Sequence, residues 1–141
     1  MLKTIVVALD NSDLSEQVID SLINLRIEPE TKIVLSHVLP SPEATRDLPP
    51  DRPHQSRDSL YQEIEQQLQA YQSQLPGSML EITEGDAASE IIRLSNIHQA
   101  DLIVLGTRGL KGIKRIVEDS VSSQVVAEAP CSVLVVKPKQ V

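Results

Sequence analysis

Runs of aliphatic and β-branched residues recur along the chain and predict five β-strands. Four of the runs are almost continuously apolar, which is typical of parallel strands that helices cover on both faces. The remaining run, which is the third along the chain, alternates apolar with polar residues and predicts an edge strand. The predicted strands are Thr4–Leu9, Lys32–Val38, Met79–Thr83, Leu102–Leu105 and Val133–Val136.

Between these runs, apolar residues recur at the three- and four-residue spacing of amphipathic helices. Asp13 with Glu16 forms a potential capping box for the first helix, Asp86 is placed to cap the third, and Pro76-Gly77 ends the second. The apolar stripes lie within Leu14–Ile23, Leu60–Leu75, Ile91–Leu94 and Ser120–Glu128. The alternation of strand and helix predicts a single α/β domain over residues 1–141, with three layers and a mostly parallel sheet.

The stretch from Leu39 to Arg57 follows neither pattern and holds five of the nine prolines. Proline fixes φ and removes a backbone donor, so this stretch predicts a long surface loop. Two interpretations remain open for it. The loop covers a ligand at the strand ends, or it is a solvated connector.

Composition narrows the classes of function. The 141 residues are 40% hydrophobic, which is enough for one buried core, and the formal net charge is −7. An acidic chain without Trp or Phe is poorly suited to nucleic acid or to an anionic membrane. One cysteine excludes an internal disulfide, and no apolar run is long enough to span a membrane. We therefore expect a cytoplasmic protein.

A glycine-rich, basic segment follows the fourth predicted strand. In an open α/β sheet, ligands bind beyond the carboxyl ends of the strands. Gly106, Gly109 and Gly112 fall within seven residues there, and Ser120 begins the next predicted helix. Four cations accompany them, namely Arg108, Lys111, Lys114 and Arg115. Glycines, cations and a helix start together predict a phosphate cradle. The alternative is a glycine-rich turn with solvated side chains.

Five segments carry a resemblance to a known family. They read, in chain order, IVVALDNS, HVLP, EGDAASEII, ADLIVLGTRGLKGIKR and DSVSSQVVAEAPCSVLVVKP. With them the sequence resembles the universal stress protein family over nearly its whole length. The resemblance implies a doubly wound sheet of order 3-2-1-4-5, the adenine nucleotide alpha hydrolase-like fold. It further implies a homodimer paired through Val133–Val136 and a regulatory role that is exerted through a partner protein.

The resemblance also implies a nucleotide site. Members of the family that bind ATP carry the pattern G-x2-G-x9-G-[ST], in which Gly106, Gly109 and Ser120 fill three of the four positions. Asp10 matches the acidic residue that holds the nucleoside, and Val38 matches a residue beside adenine. The other positions implied to contact nucleotide are Ala8, Leu105, Arg108, Val121 and Ser122.

Asp119 stands where the pattern has its third glycine. A carboxylate about 5 Å from a phosphate charge costs on the order of 3 kcal/mol at an effective dielectric constant of 20. The neighbouring cations offset part of this repulsion, and a carboxylate beside phosphates can hold Mg²⁺ instead. We accordingly predict an adenine nucleotide as ligand, either ATP or a shorter one such as AMP, with Asp119 in the site and Mg²⁺ as a candidate ion.

Two alternatives accompany this prediction. Asp119 favours a nucleotide-blind dimeric interaction module. A phospho-receiver domain would use Asp10, Asp86, Thr107 and Lys137, but it requires paired acids where Asp10 is followed by an asparagine. No spacing predicts a catalytic or metal-binding set, and we expect at most slow ATP hydrolysis. His37 and Cys131 are interpreted as core residues.

Overall fold

The computed structural model describes residues 2–10, 14–40, 57–106 and 120–137. Five strands and four helices alternate along these residues. The strands are β1 (Thr4–Ala8), β2 (Lys32–Leu39), β3 (Met79–Glu84), β4 (Leu102–Gly106) and β5 (Ser132–Val136). The helices are α1 (Leu14–Asn24), α2 (Arg57–Gln72), α3 (Ala87–Ile97) and α4 (Ser120–Glu128).

The strands form one sheet of order β3-β2-β1-β4-β5, and every neighbouring pair is parallel. This confirms the strand order and the three-layer class expected from the sequence. The predicted edge strand, β3, does lie at an edge, with β5 at the other. Each predicted strand boundary lies within one residue of the observed one.

Two apolar clusters lie on opposite faces of the sheet. The first joins one face to α1 and α2, with Val18, Leu22 and Ile64 buried in it. The second joins the other face to α3 and α4 through residues such as Ile91 and Val125. The central strands have apolar side chains on both faces because both faces are covered, which explains their continuous apolar runs.

Two sequence expectations need adjustment. The irregular stretch is shorter than predicted, because Leu39 still belongs to β2 and Arg57 begins α2. The second helix ends at Gln72, although Leu75 remains buried in the first cluster. The core of the predicted loop, residues 41–56, and the proposed capping residue Asp13 lie outside the described residues.

Candidate functional site

A cavity of about 310 Å³ opens at the carboxyl ends of β1, β2 and β4. Strand order reverses between β1 and β4, and this is where doubly wound sheets leave a crevice for ligands. The described residues that line it are Ala8, Leu9, Asp10, Ser36, His37, Val38, Pro40, Ala87, Ile91, Leu105, Gly106, Val121 and Ser122. The walls expose more apolar than polar surface, and polar groups come from Asp10, Ser36, His37 and Ser122.

The backbone N–H and C=O of Val38 face this cavity, where no strand of the described residues pairs with them. On the side of β2 that faces β1, the Ser36 carbonyl accepts a hydrogen bond from the Leu9 N–H at 2.8 Å. The N–H and C=O of one residue point to the same side of a strand, and this side alternates from residue to residue, so both groups of Val38 also point to the β1 side. However, β1 ends at Ala8. Among the described residues none pairs with the N–H or the C=O of Val38, so within that part of the chain one donor and one acceptor face the cavity side by side.

His37 and Asp10 line the same cavity as Val38. His37 is 9% exposed, and its Nδ1 lies 2.7 Å from the carbonyl oxygen of Leu9. A carbonyl can only accept, so Nδ1 carries the proton and donates it. Burial lowers the pKa of His37 below its ordinary 6.5, although the Leu9 hydrogen bond and the charge of Asp10 act in the opposite direction. The net effect favours the neutral imidazole.

The N-terminal ends of α3 and α4 form the far wall of the cavity. Ala87 and Ile91 of α3, and Val121 and Ser122 of α4, line it. Asp86 caps α3: its Oδ2 accepts hydrogen bonds from the Ser89 N–H at 3.0 Å and from the Ser89 hydroxyl at 2.8 Å. This carboxylate is thus committed to the helix, and it is not among the residues that line the cavity. The phospho-receiver alternative gains no support from this geometry.

The structure brings together seven of the eleven predicted site residues. Five come from the strand ends or from the two residues that follow a strand, and two from the first turn of α4. They are Ala8, Asp10, Val38, Leu105, Gly106, Val121 and Ser122. Ser120 begins α4. Arg108, Gly109 and Asp119 lie outside the described residues, so their part in the site stays a prediction.

Sequence reasoning missed several cavity residues. Ser36 and His37 precede Val38 in β2. They line the cavity because β1 ends before β2 does, and the sequence does not show where β1 ends. Pro40 had been assigned to the irregular stretch. Ala87 and Ile91 follow the Asp86 cap, so their position at the rim of the site was implicit in that signal. His37 had been interpreted as a core histidine; it is buried, yet it also lines the cavity.

Comparison with known proteins agrees with the fold. The model of the universal stress protein family matches residues 1–137. The chain belongs to the universal stress protein family. A curated relative, universal stress protein MJ0531 of Methanocaldococcus jannaschii, is 31% identical over 147 residues, which cover 98% of this chain and 84% of the relative.

Solved structures of the family share the architecture. The hypothetical protein MJ0577 superposes with a TM-score of 0.78 at 22% identity, covering 99% of this chain and 98% of that one. A universal stress protein family protein from Arabidopsis thaliana, whose structure has AMP bound, gives a TM-score of 0.67 at 19% identity, covering 97% and 92%. These likenesses show that the fold is shared.

The described residues contain neither a metal-ligand cluster nor a membrane-spanning helix. Within residues 2–10, 14–40, 57–106 and 120–137, no group of three His, Cys, Asp or Glu side chains is placed to hold a metal ion. In the same ranges no helix has the length and apolar character needed to cross a bilayer.

His98 has no second ligand at metal-binding spacing in the sequence. Its Nδ1 accepts from the Lys32 ammonium at 3.1 Å, and its Nε2 lies 3.4 Å from a Glu81 carboxylate oxygen.

Proposed function

We propose that this universal stress protein binds an adenine nucleotide, AMP or ATP, in the cavity beyond β1, β2 and β4, and that a partner protein responds to the occupied state. The observation that carries the proposal is the backbone N–H and C=O of Val38, which face the cavity and have no partner among the described residues. Adenine presents an amino donor next to a ring-nitrogen acceptor on its Watson–Crick edge. A peptide C=O and N–H are complementary to that pair.

Other features of the cavity suit the rest of a nucleotide. Asp10 is exposed at its rim, where a carboxylate can accept a hydrogen bond from a ribose hydroxyl. The start of α4 lies on the opposite side, and a helix N-terminus favours a phosphate. The AMP-bound relative from Arabidopsis supports the same class of ligand. With a single cysteine in the chain, we further propose the cytoplasm as its compartment.

Isothermal titration calorimetry tests the proposal with AMP, ADP and ATP, each with and without Mg²⁺, and with GMP as the matched control. Guanine carries an acceptor and a donor where adenine carries the reverse, so GMP should bind at least about tenfold more weakly than AMP, a difference of about 1.4 kcal/mol. Asp10→Ala should weaken AMP binding by about tenfold, whereas Asp20→Ala, at an exposed acid of α1, should not change it. A folded protein that binds none of the adenine nucleotides would refute the proposal.

Asp119 favours a second candidate function, that of an interaction module that binds no nucleotide. In that case Asp119→Gly should bring about ATP binding that the parent lacks, because the variant restores the complete glycine pattern. If the parent already binds ATP, and Asp119→Gly changes its affinity less than about twofold, the carboxylate is compatible with the ligand and this candidate is excluded.

A further inference from the structure

The ladder between β1 and β2 stops one hydrogen bond earlier than its geometry allows. The last backbone bond between these strands runs from the Leu9 N–H to the Ser36 carbonyl. In a regular parallel ladder the next bond would run from the Val38 N–H to the Leu9 carbonyl. On the other side of β2, pairing continues as far as Leu39, whose carbonyl accepts from the Gly85 N–H at 3.0 Å. The interruption is therefore confined to the side that faces the cavity.

The side chain of His37 occupies the position of the missing bond. Its Nδ1–H donates to the Leu9 carbonyl at 2.7 Å, and no backbone N–H of the described residues donates to that oxygen. His37 is 9% exposed, so its side chain is held in place by the residues around it. Nδ1 carries a proton in both the neutral and the protonated imidazole, and the bond therefore does not depend on the charge of the ring.

We propose that His37 is a positioning residue: by donating to the Leu9 carbonyl, it prevents the β1–β2 ladder from closing across the cavity and keeps the Val38 N–H available to a ligand. Without this donor, the Leu9 carbonyl would be left unpaired in a partly buried place, and the Val38 N–H is the nearest ladder donor to satisfy it. The ligand part of this inference rests on the proposed nucleotide function, whereas the backbone part does not.

Amide hydrogen exchange in the ligand-free protein tests the backbone part. The Val38 N–H should exchange at least about tenfold faster than that of Val34, which lies in the same strand, points to the same side and is paired within the ladder. In His37→Phe the new bond to Leu9 should slow Val38 exchange by about tenfold. His37→Asn is the matched control, because its amide N–H replaces Nδ1–H at the same distance along the side chain, and it should exchange like the parent.

A ligand lacking one acceptor tests the recognition part. In 1-deaza-AMP a C–H replaces ring nitrogen N1, so this analogue cannot accept from the Val38 N–H. The parent and His37→Asn should both bind AMP about tenfold more tightly than 1-deaza-AMP. In His37→Phe the affinities for the two nucleotides should differ by less than twofold. A purely structural role for His37 would weaken the binding of both nucleotides by the same factor and preserve the preference.

The outcomes separate this inference from the proposed function. The positioning role is overturned if the Val38 N–H of the parent exchanges as slowly as that of Val34. It is also overturned if Val38 exchanges at the same rate in His37→Phe as in the parent. Both results hold whether or not nucleotide binds. If the parent binds no adenine nucleotide, the proposed function fails and the exchange data still decide the role of His37. Should His37→Phe fail to fold, His37→Leu takes its place, since leucine has no polar side-chain atom and leaves the Leu9 carbonyl without its donor.

Discussion

Gly106 lies where the end of β4 passes under the first turn of α1. A Cβ built on Gly106 would lie 2.5 Å from Cδ2 of Leu14, 2.8 Å from its Cγ and 3.3 Å from Cγ2 of Val18. Leu14 and Val18 are both buried, so neither has free space to move into. A residue of the glycine motif thus has a packing role at the site in addition to any role toward phosphate.

We therefore predict that Gly106→Ala lowers the free energy of unfolding by about 1–3 kcal/mol, because the extra methyl overfills a packed contact. Urea denaturation measures this change. The double variant Leu14→Ala/Gly106→Ala is the control: removal of the leucine branch makes room for the methyl, so the two effects should be less than additive by at least about 1 kcal/mol. A Gly106→Ala variant as stable as the parent would contradict the predicted clash.

Residue types at the site could be predicted from sequence, but their contacts could not. Asp10 and Val38 were identified by their place after a strand and within a motif. The contact between Gly106 and Leu14 joins residues 92 positions apart, and no local pattern encodes it. The Leu9 hydrogen bond of His37 depends in the same way on β1 ending three residues before β2 does in the sheet register.

At the scale of elements, α3 is the helix whose start the sequence defines best. Asp86 has the extended backbone of an N-cap, and its side chain accepts from the Ser89 N–H as predicted. These hydrogen bonds lower the pKa of Asp86, so the folded state favours the carboxylate. Stability from this group is present above the pKa of the unfolded chain and is lost as the pH falls through the lower pKa of the folded protein.

Asp86→Ala should accordingly destabilise the protein by about 1 kcal/mol at pH 7, as is usual for loss of an N-cap. Asp20→Ala, at an exposed acid within α1, is the matched control and should change stability by less than about 0.5 kcal/mol. Thermal unfolding monitored by circular dichroism at pH 7 and again at pH 3 provides both comparisons. The difference between Asp86→Ala and the parent should shrink at pH 3, and an undiminished difference would contradict the cap mechanism.

The existence and the order of the strands and helices could be predicted, because apolar runs and helical stripes are local signals. The residues at which strands and helices end depend on contacts with residues that are distant in the sequence. Leu39 remains in β2 because Gly85 beside β3 donates to its carbonyl, and this pairing is not visible in the run itself. The end of α2 differs for a similar reason. Leu75 continues the apolar stripe, but it packs in the core from the turn that follows the helix.

At the scale of the whole molecule, β5 leaves one edge of the sheet open. Its five residues pair with β4 on one side, and within the described chain no strand pairs with them on the other. Val133, Leu134 and Val135 are only partly buried against the two clusters. Open apolar edges of this kind promote association, and pairing with a second copy removes the edge. We propose an antiparallel β5–β5 homodimer, as the resemblance to the family implied.

This proposal predicts that the protein sediments as a dimer at micromolar concentration. Val133→Lys should raise the dimer dissociation constant at least about tenfold, because antiparallel pairing about a two-fold axis brings the two introduced charges close together in the shared sheet. The control is Ile97→Lys, which adds the same charge at a residue that is 58% exposed on α3, a helix that contacts β1, β2 and β3. Equal weakening by both variants would indicate a general effect of charge on this acidic chain, and a monomeric parent would rule out the β5 pairing altogether.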